Sequence, residues 1–411
     1  MVNFILYNQD LAVPHAVMVV MIDFAKAFNR INHNKIISIL SKMGVPGWLL
    51  RIVMGFLKER ELVLRYKGRT SGRKQLPGGG PQGTRLGLFL FLILINAAGY
   101  EHLQENIGQH ITKKMNKRTP MPDIHLKFVD DMTLAEALNV KECVVPNPDT
   151  NPARPLRYHD RTQHVLPSER NSMQAQLDKM VMYCEENDIK FTIAKTKVVL
   201  FNSARNYDFM PNLQIGNNGQ LDVVEEFKLL GLIFKSNLTW QANTEYMCKK
   251  AYARLWMLRR LKALGARDEE ILDVFYKQIR SVLELAVPVW QPRLTLADGK
   301  QIERVQKCAF YIILGEDFVS YDHAITHFDS ETLGNRRLKL CSNFARKAEI
   351  NPKYQNWFEE EVATIRQVPN TRSDKNAVEN KYKPVPTRTE RFKNSPIPFL
   401  TDILNEQYMK K

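Results

Sequence analysis

In the stretch HLKFVDDMTLAEAL, His125 to Leu138, two aspartates stand side by side between two apolar runs of strand-like composition. Adjacent carboxylates repel, and strands disfavour Asp. A chain that keeps Asp130 and Asp131 there needs something to compensate the paired charge. A turn or a helix cap does so, since Asp favours both, and for an isolated Asp pair that is the commoner use. A bound cation does so as well. A third acid bears on the choice: the β-branched apolar run HAVMVVMI, residues 15–22, has the composition of a buried strand and ends at Asp23. With the two strands as neighbours in one sheet, Asp23 and Asp130 meet at the same edge. That arrangement suits a pair of magnesium ions roughly 3.5–4 Å apart, which take hard oxygen ligands from a few carboxylates and from substrate phosphates.

Three further blocks shift the balance toward the cation. Phe28 follows Asp23 by five positions in DFAKAF. A ring there can lie beneath the sugar of a bound nucleotide and exclude a 2′-hydroxyl, the group that separates ribose from deoxyribose; taken alone it is equally a core phenylalanine. The block LPGGGPQGT, Leu76 to Thr84, has a backbone able to approach a ligand closely and precedes an apolar helix whose N-terminus faces phosphate or base. No Gly-Lys-Ser/Thr follows, so it is not a Walker P-loop. In AKTKVVLF, Lys195 and Lys197 stand just before a strand, where one of them can protonate a leaving pyrophosphate.

Periodicity supplies the rest of the framework. NKIISILSKMGVPGWLLRIVMGFLKER reads as two helices interrupted at Gly44–Gly47, and ELVLRYKGRTSGRKQLP as a hairpin around Lys67–Gly68. Residues 142–170 are Pro-rich and aperiodic, as in a loop insertion. A helix containing Leu177, Met180 and Cys184 follows, then the strand KVVLFN and the hairpin element VVEEFKLLGLIF. From Thr239 to about residue 350 the spacing is helical. One of these helices sets Met247, Ala251, Leu255 and Leu258 on a single face and carries Lys249, Lys250, Arg254, Arg259, Arg260 and Lys262. Residues 351–411 are expected to be a basic, flexible tail, with a short helix in FLTDILNEQY.

Lys and Arg number 59 against 44 Asp and Glu, a formal charge of +15, which favours a polyanionic partner. The five cysteines are scattered with no C-x-x-C pair, as expected for reduced intracellular thiols, with nucleus and cytoplasm undecided. The N-terminus lacks the features of a signal peptide, and LGLFLFLILINAAGY is short for a membrane span, so no membrane association is expected. His323 and His327, at i, i+4, lack the glutamate of H-E-x-x-H and make a poor metal site.

In order, MIDFAKAF, LPGGGPQGT, KFVDDM and IAKTKVVLF resemble motifs A, B, C and D of reverse transcriptases, and FKLLGLIF resembles motif E, the primer grip. Stretches such as NLTW, LELAVPVWQP and IERVQKCAFYIILG are similar to those of non-LTR (LINE-type) retrotransposon enzymes. The resemblance implies an α+β fold, a right-hand polymerase palm (an antiparallel sheet backed by helices) followed by a helical thumb. The palm would comprise residues 1–141 and 171–236 and the thumb 237–350. It implies two Mg²⁺ ions, with Mn²⁺ as a substitute, on Asp23 and Asp130, and a catalytic set of Asp23, Asp130, Asp131 and Lys195. Phe28, Gln82 and Gly83 would contact substrate and template, Leu230 and Gly231 would grip the primer, and Lys249, Lys250, Arg254, Arg259 and Arg260 would track the duplex. RNA template, DNA primer and dNTPs are the implied partners.

Departures from that pattern are Asn29, where Asp is common, and Arg85 and Leu88 in motif B. By the same comparison the chain begins just before motif A, so fingers and an upstream endonuclease are expected to be missing. RNase H and Cys/His-knuckle patterns are not seen at the C-terminus. An inactive remnant that only binds nucleic acid therefore stays open as an alternative. Another two-metal enzyme, an RNA-templated RNA polymerase or a nuclease, is disfavoured by Phe28 and by the Pro-Gln-Gly block.

Overall fold

The apolar run ending at Asp23 forms β1 (His15–Ile22), the middle strand of a five-stranded sheet. The computed structural model describes residues 1–13, 15–24, 31–76, 78–81, 83–96, 120–121, 124–128, 131–140, 172–203, 211–216, 219–354, 357–359 and 380–409. The sheet order is β11 (Asp222–Val223), β8 (Lys197–Phe201), β1, β7 (Asp131–Asn139), β6 (Ile124–Phe128). β1 runs antiparallel to both of its neighbours, and β6 antiparallel to β7, while β11 lies parallel to β8. The sheet is thus mixed at one edge, where an antiparallel sheet was expected.

Both faces of β1 are buried, which is why its composition is apolar almost throughout instead of alternating. Val17 and Val19 join Ala135, Val199 and Phe201 in a core that continues into α1 (Val2–Asp10) and the C-terminal helices. Ala16, Met18, Val20 and Ile22 join Met132, Leu134 and Val198 in a second core, closed by α2 (His33–Lys42), α3 (Gly47–Leu57), α4 (Arg85–Asn96) and α5 (Ser172–Glu186). The sheet is covered on both sides. The apolar α4 is a core helix as expected, with Leu90, Phe91 and Leu94 buried. Among the described residues no helix is long and apolar enough to cross a membrane.

The break between α2 and α3 falls at Gly44–Pro46, and the Asn32 side chain caps α2 by accepting from the Asn34 and Lys35 amides. The expected hairpin is an exposed ribbon: β2 (Glu61–Leu62) pairs with β5 (Lys74–Gln75), and β3 (Arg65–Tyr66) with β4 (Arg69–Thr70) around Lys67–Gly68. β9 (Gln214–Ile215) and β10 (Gly219–Gln220) form a small ladder, and β12 (Glu226–Leu229) and β13 (Leu232–Lys235) a second one. The Pro-rich segment 142–170 lies outside the described residues.

The remainder is helical: α6 (Gln241–Tyr252), α7 (Leu255–Ala263), α8 (Asp268–Val274), α9 (Val287–Trp290), α10 (Leu296–Leu314), α11 (Tyr321–His327), α12 (Leu333–Ile350), α13 (Glu390–Lys393) and α14 (Pro396–Met409). The basic helix expected as one element is two. The Arg254 amide bonds to the Ala251 carbonyl, and the Met257 amide to the Arg254 carbonyl, each at i−3, and these tight turns separate α6 from α7. Met247, Ala251, Leu255 and Leu258 nevertheless all face the core.

The expected flexible tail is corrected over residues 380–409. Phe392 and Leu400 are fully buried, and Phe392 meets Tyr7 of α1 edge-on at 5.6 Å. The Asp10 carboxylate accepts from the Arg388 amide (2.9 Å), the Thr389 amide (2.7 Å) and the Thr389 hydroxyl (2.6 Å). The segment is held from two sides: by α1 at the far end of the chain and by α12, where Glu349 accepts from Lys381 Nζ and from the Tyr382 hydroxyl, each at 2.6 Å. Replacing Asp10, only 6% exposed, by Ala strands the Arg388 and Thr389 donors. Denaturant unfolding should then show a loss of about 3 kcal/mol; a change under about 0.5 kcal/mol would show that the α1 contact does not hold the C-terminus.

Burial also makes the core thiols inert. It pushes Cys184 up to about 12, Cys248 up to about 11 and Cys341 up to about 12. At pH 8 these groups are protonated and covered, so a thiol reagent should modify them only as the chain unfolds. Rapid labelling of Cys184 in the native protein would contradict this packing.

Candidate active site at the sheet edge

The register of β1 on β7 pairs Ile22 with Met132. Continued by one residue, it sets Asp23 across from Asp131, the first residue of β7. On the other side Met21 pairs with Lys197 at the start of β8. The loop before β8 is tied to the same place: the Thr192 amide donates to the Asp23 carbonyl (2.8 Å), and the Asp23 amide donates to Thr196 Oγ1 (3.3 Å). Phe24 stacks on Phe191 with ring centroids 5.5 Å apart. These contacts fix the end of β1 and bring Lys195 Nζ to 3.7 Å from Asp23 Oδ2. Lys197, the other lysine of AKTKVVLF, also lines the cavity at this edge but is paired with Asp222 at 2.6 Å.

At 3.7 Å the Lys195 ammonium is within ion-pair range of Asp23 but beyond a hydrogen bond. Asp23 Oδ2 is buried and accepts no hydrogen bond. A buried carboxylate oxygen without a donor is the kind of atom a hard divalent cation satisfies, so Asp23 fits the expected metal ligand. Among the described residues no group of three or more His, Cys, Asp or Glu converges to hold a metal. The expected second ligand, Asp130, lies outside the described residues, as do Phe28 and Gln82. His323 and His327 have ring centroids 6.0 Å apart, without further metal-ligating partners among the described residues.

A cavity of about 260 Å³ opens at this edge, and Asp23, Asp131, Lys195, Lys228 and Leu229 line it. Lys228 and Leu229 belong to β12, so the hairpin carrying Leu230 and Gly231 borders the same space. These two form its turn, with φ of +47° and +87°, the signature of a two-residue I′ hairpin loop. Phe227 of β12 stacks on Phe234 of β13 (5.1 Å) and meets Phe201 of β8 edge-on (6.3 Å), which anchors the hairpin to the sheet.

The glycine-rich block ends in the turn before α4. Thr84 Oγ1 donates to the Pro81 carbonyl (2.9 Å) and accepts from the Gly87 amide (3.1 Å). Gly83 is exposed with φ of +83°. Two residues that sequence reading passed over hold this block. Arg60 Nη2 donates to the Gly78 carbonyl (2.9 Å) and to the Gly79 carbonyl, and a His33 ring nitrogen contacts the Gly79 oxygen at 2.9 Å. Their spacing from the glycines carries no local signal. Glu136, in the quoted strand, was equally silent. It is buried and accepts from the Ser172 hydroxyl and the Met173 amide (2.9 Å) at the start of α5.

Of the basic residues expected to meet a duplex, Lys249, Lys250, Arg259 and Arg260 are exposed. Arg254 is partly committed, donating to the Gln278 carbonyl.

Residues 8–145 match the protein family described as reverse transcriptase (RNA-dependent DNA polymerase). The match contains Asp23, Gly83 and Asp131 and spans β1 through β7. Among solved structures, the chain is similar to telomerase from Candida tropicalis in complex with a fragment of telomeric RNA. The identity is 10%, covering 99% of this chain and 48% of that one, with a TM-score of 0.37. It is also similar to the Candida albicans counterpart at 10% identity, over 82% and 48%, with a TM-score of 0.31. At these values the likenesses carry no argument, and the chain spans about half the length of either. No curated protein matches.

Proposed function

We propose that the chain is the polymerase part of a retroelement reverse transcriptase of the non-LTR type, extending a DNA primer on an RNA template. The observation that carries this reading is the shared cavity: residues from β1, β7, the loop before β8 and β12, distant in sequence, line one space of about 260 Å³. In this reading residues 1–141 and 171–236 make the palm and 237–350 the thumb. Asp23, Asp130 and Asp131 are the acids of the site, with Mg²⁺ or Mn²⁺ held on Asp23 and Asp130. Such a pair of ions, when bound, activates the primer 3′-hydroxyl and neutralises the leaving pyrophosphate.

The chain's own groups do the rest. Lys195 Nζ, held beside Asp23, protonates the pyrophosphate oxygen as the bond to the α-phosphorus breaks. Phe28 excludes the 2′-hydroxyl of a ribonucleotide, and Gln82 and Gly83 contact the template and the incoming base. The Leu230–Gly231 turn holds the primer end beside the cavity. Lys249, Lys250, Arg259 and Arg260 neutralise duplex phosphates, so binding weakens as salt rises; Arg254 supports the same surface while tied to Gln278.

Nucleotide selection tests this. On poly(rA) primed with oligo(dT) the protein should add dTTP alone, and on poly(rC) primed with oligo(dG) it should add dGTP alone, with UTP and GTP rejected. Untemplated addition, or equal use of ribonucleotides, would contradict the reading.

A further inference from the structure

A second cavity, of about 440 Å³, lies between the starts of α6 and α10 and shares no lining residue with the first. Trp240 and Arg293 both line it. Trp240 is 2% exposed and its ring meets Phe234 edge-on at 5.2 Å, yet its Nε1–H has no acceptor. Arg293 Nη1 is likewise buried without an acceptor. Buried donors are nearly always paired in folded proteins, so two such donors on one cavity point to a missing acceptor.

The charge around the cavity says what kind. Arg293 feels the like charge of Arg391, and burial together with that neighbour brings its guanidinium down to about 10. Arg391 donates to the Asn237 carbonyl at 3.1 Å. Among the described residues neither arginine is in an ion pair with a carboxylate. Asp298 is the one acid on the lining, and its Oδ2 already accepts from Thr295 Oγ1 at 2.6 Å. Of the two flanking helices, α6 with 12 residues presents a positive N-terminal end, whereas α10 is already capped by Thr295 and carries Asp298 in its first turn. The first turn of α6 has no side-chain cap. A water molecule would satisfy one N–H but would leave two neighbouring guanidinium charges facing a single carboxylate, Asp298. A tetrahedral oxyanion meets all of these demands: its oxygens match the guanidinium fork, and helix N-termini favour it.

We propose that this cavity is a phosphate-binding site in which Arg293 and the Trp240 Nε1–H hold the oxygens of a phosphate group. It does not rest on the polymerase reading, and its test does not read extension.

Inorganic phosphate is titrated into the full-length chain by calorimetry in chloride buffer, alongside Arg293→Gln and Trp240→Phe. Both substitutions keep the approximate shape of the side chain, and Trp240→Phe removes the N–H while keeping an aromatic ring. The wild type should bind saturably. Arg293→Gln should weaken binding by about tenfold or more, the loss of a charge-assisted pair, and Trp240→Phe by about threefold or more. Competition then identifies the source. Displacement of phosphate by an unphosphorylated oligonucleotide means a backbone phosphodiester occupies the site; displacement only by a 5′-phosphorylated one means a terminal or free phosphate. No saturable binding by the wild type, or equal affinity in wild type and Trp240→Phe, overturns the proposal, whether or not Arg293→Gln folds.

Discussion

Asp23→Asn is expected to lower templated extension by at least about 10³-fold while leaving duplex affinity and stability unchanged. The amide keeps the shape of the carboxylate, and the Asp23 main-chain bonds to Thr192 and Thr196 do not involve the side chain. The ion pair lost with Lys195 is long, 3.7 Å, and its lysine is 70% accessible, a geometry worth little to stability. The basic residues proposed to meet the duplex lie on α6 and α7 and do not line the cavity that Asp23 borders. Activity and binding should therefore separate cleanly. A loss below about tenfold would remove Asp23 from the chemistry, and a parallel loss of duplex binding would make its role structural.

Gly87→Ala should be the more damaging change for the fold around the site. A Cβ built at Gly87 comes within 2.3 Å of the Pro81 carbonyl oxygen and 2.9 Å of Thr84 Oγ1. The first is main chain, so the turn from Pro81 to Thr84 must move. We expect a stability loss of about 2 kcal/mol from overpacking. Displacement of the turn proposed to contact the template should lower extension by about 10²-fold. Gly83→Ala is the control for stability alone, since Gly83 is itself proposed to contact the template: open space surrounds it in the free chain, so only its φ of +83° opposes the change, at about 1 kcal/mol. Thermal unfolding and extension rates for the two variants distinguish these cases. Wild-type behaviour of Gly87→Ala would show that the turn's position does not matter to the reaction.

The parts of the fold that sequence reading finds are those with their own local signal. β1 is visible because a strand covered on both faces needs an almost unbroken apolar run, β7 because MTLAEAL is short and strand-like despite Thr133 and Glu136, and α2 and α3 because Gly44–Gly47 interrupts a helical spacing. The sheet edge is legible in part: the apolar runs set Asp23 and Asp130 together there, whereas the structure places Asp131 across from Asp23 and Asp130 lies outside the described residues. What stayed hidden depends on distant partners. α1 has no side-chain cap and so no start signal, and residues 380–409 are ordered by Asp10 at the other end of the chain together with Glu349 of α12. Arg60 and His33 support the glycine-rich block from separate elements. The division between α6 and α7 has neither Gly nor Pro to mark it. Lys195 and Lys197 are equivalent by spacing; only the structure shows one facing Asp23 and the other Asp222. The Trp240–Arg293 cavity is likewise invisible before its two flanking helices are in place.

The most direct test is Mg²⁺-dependent extension of poly(rA)–oligo(dT) by the wild-type chain and by an Asp130→Asn, Asp131→Asn variant, with duplex binding measured on both. The account predicts extension by the wild type that requires the metal and disappears in the variant, with equal, salt-sensitive binding. Binding by both proteins with no extension by either would contradict it and leave a nucleic-acid-binding protein with the ancestry of a polymerase.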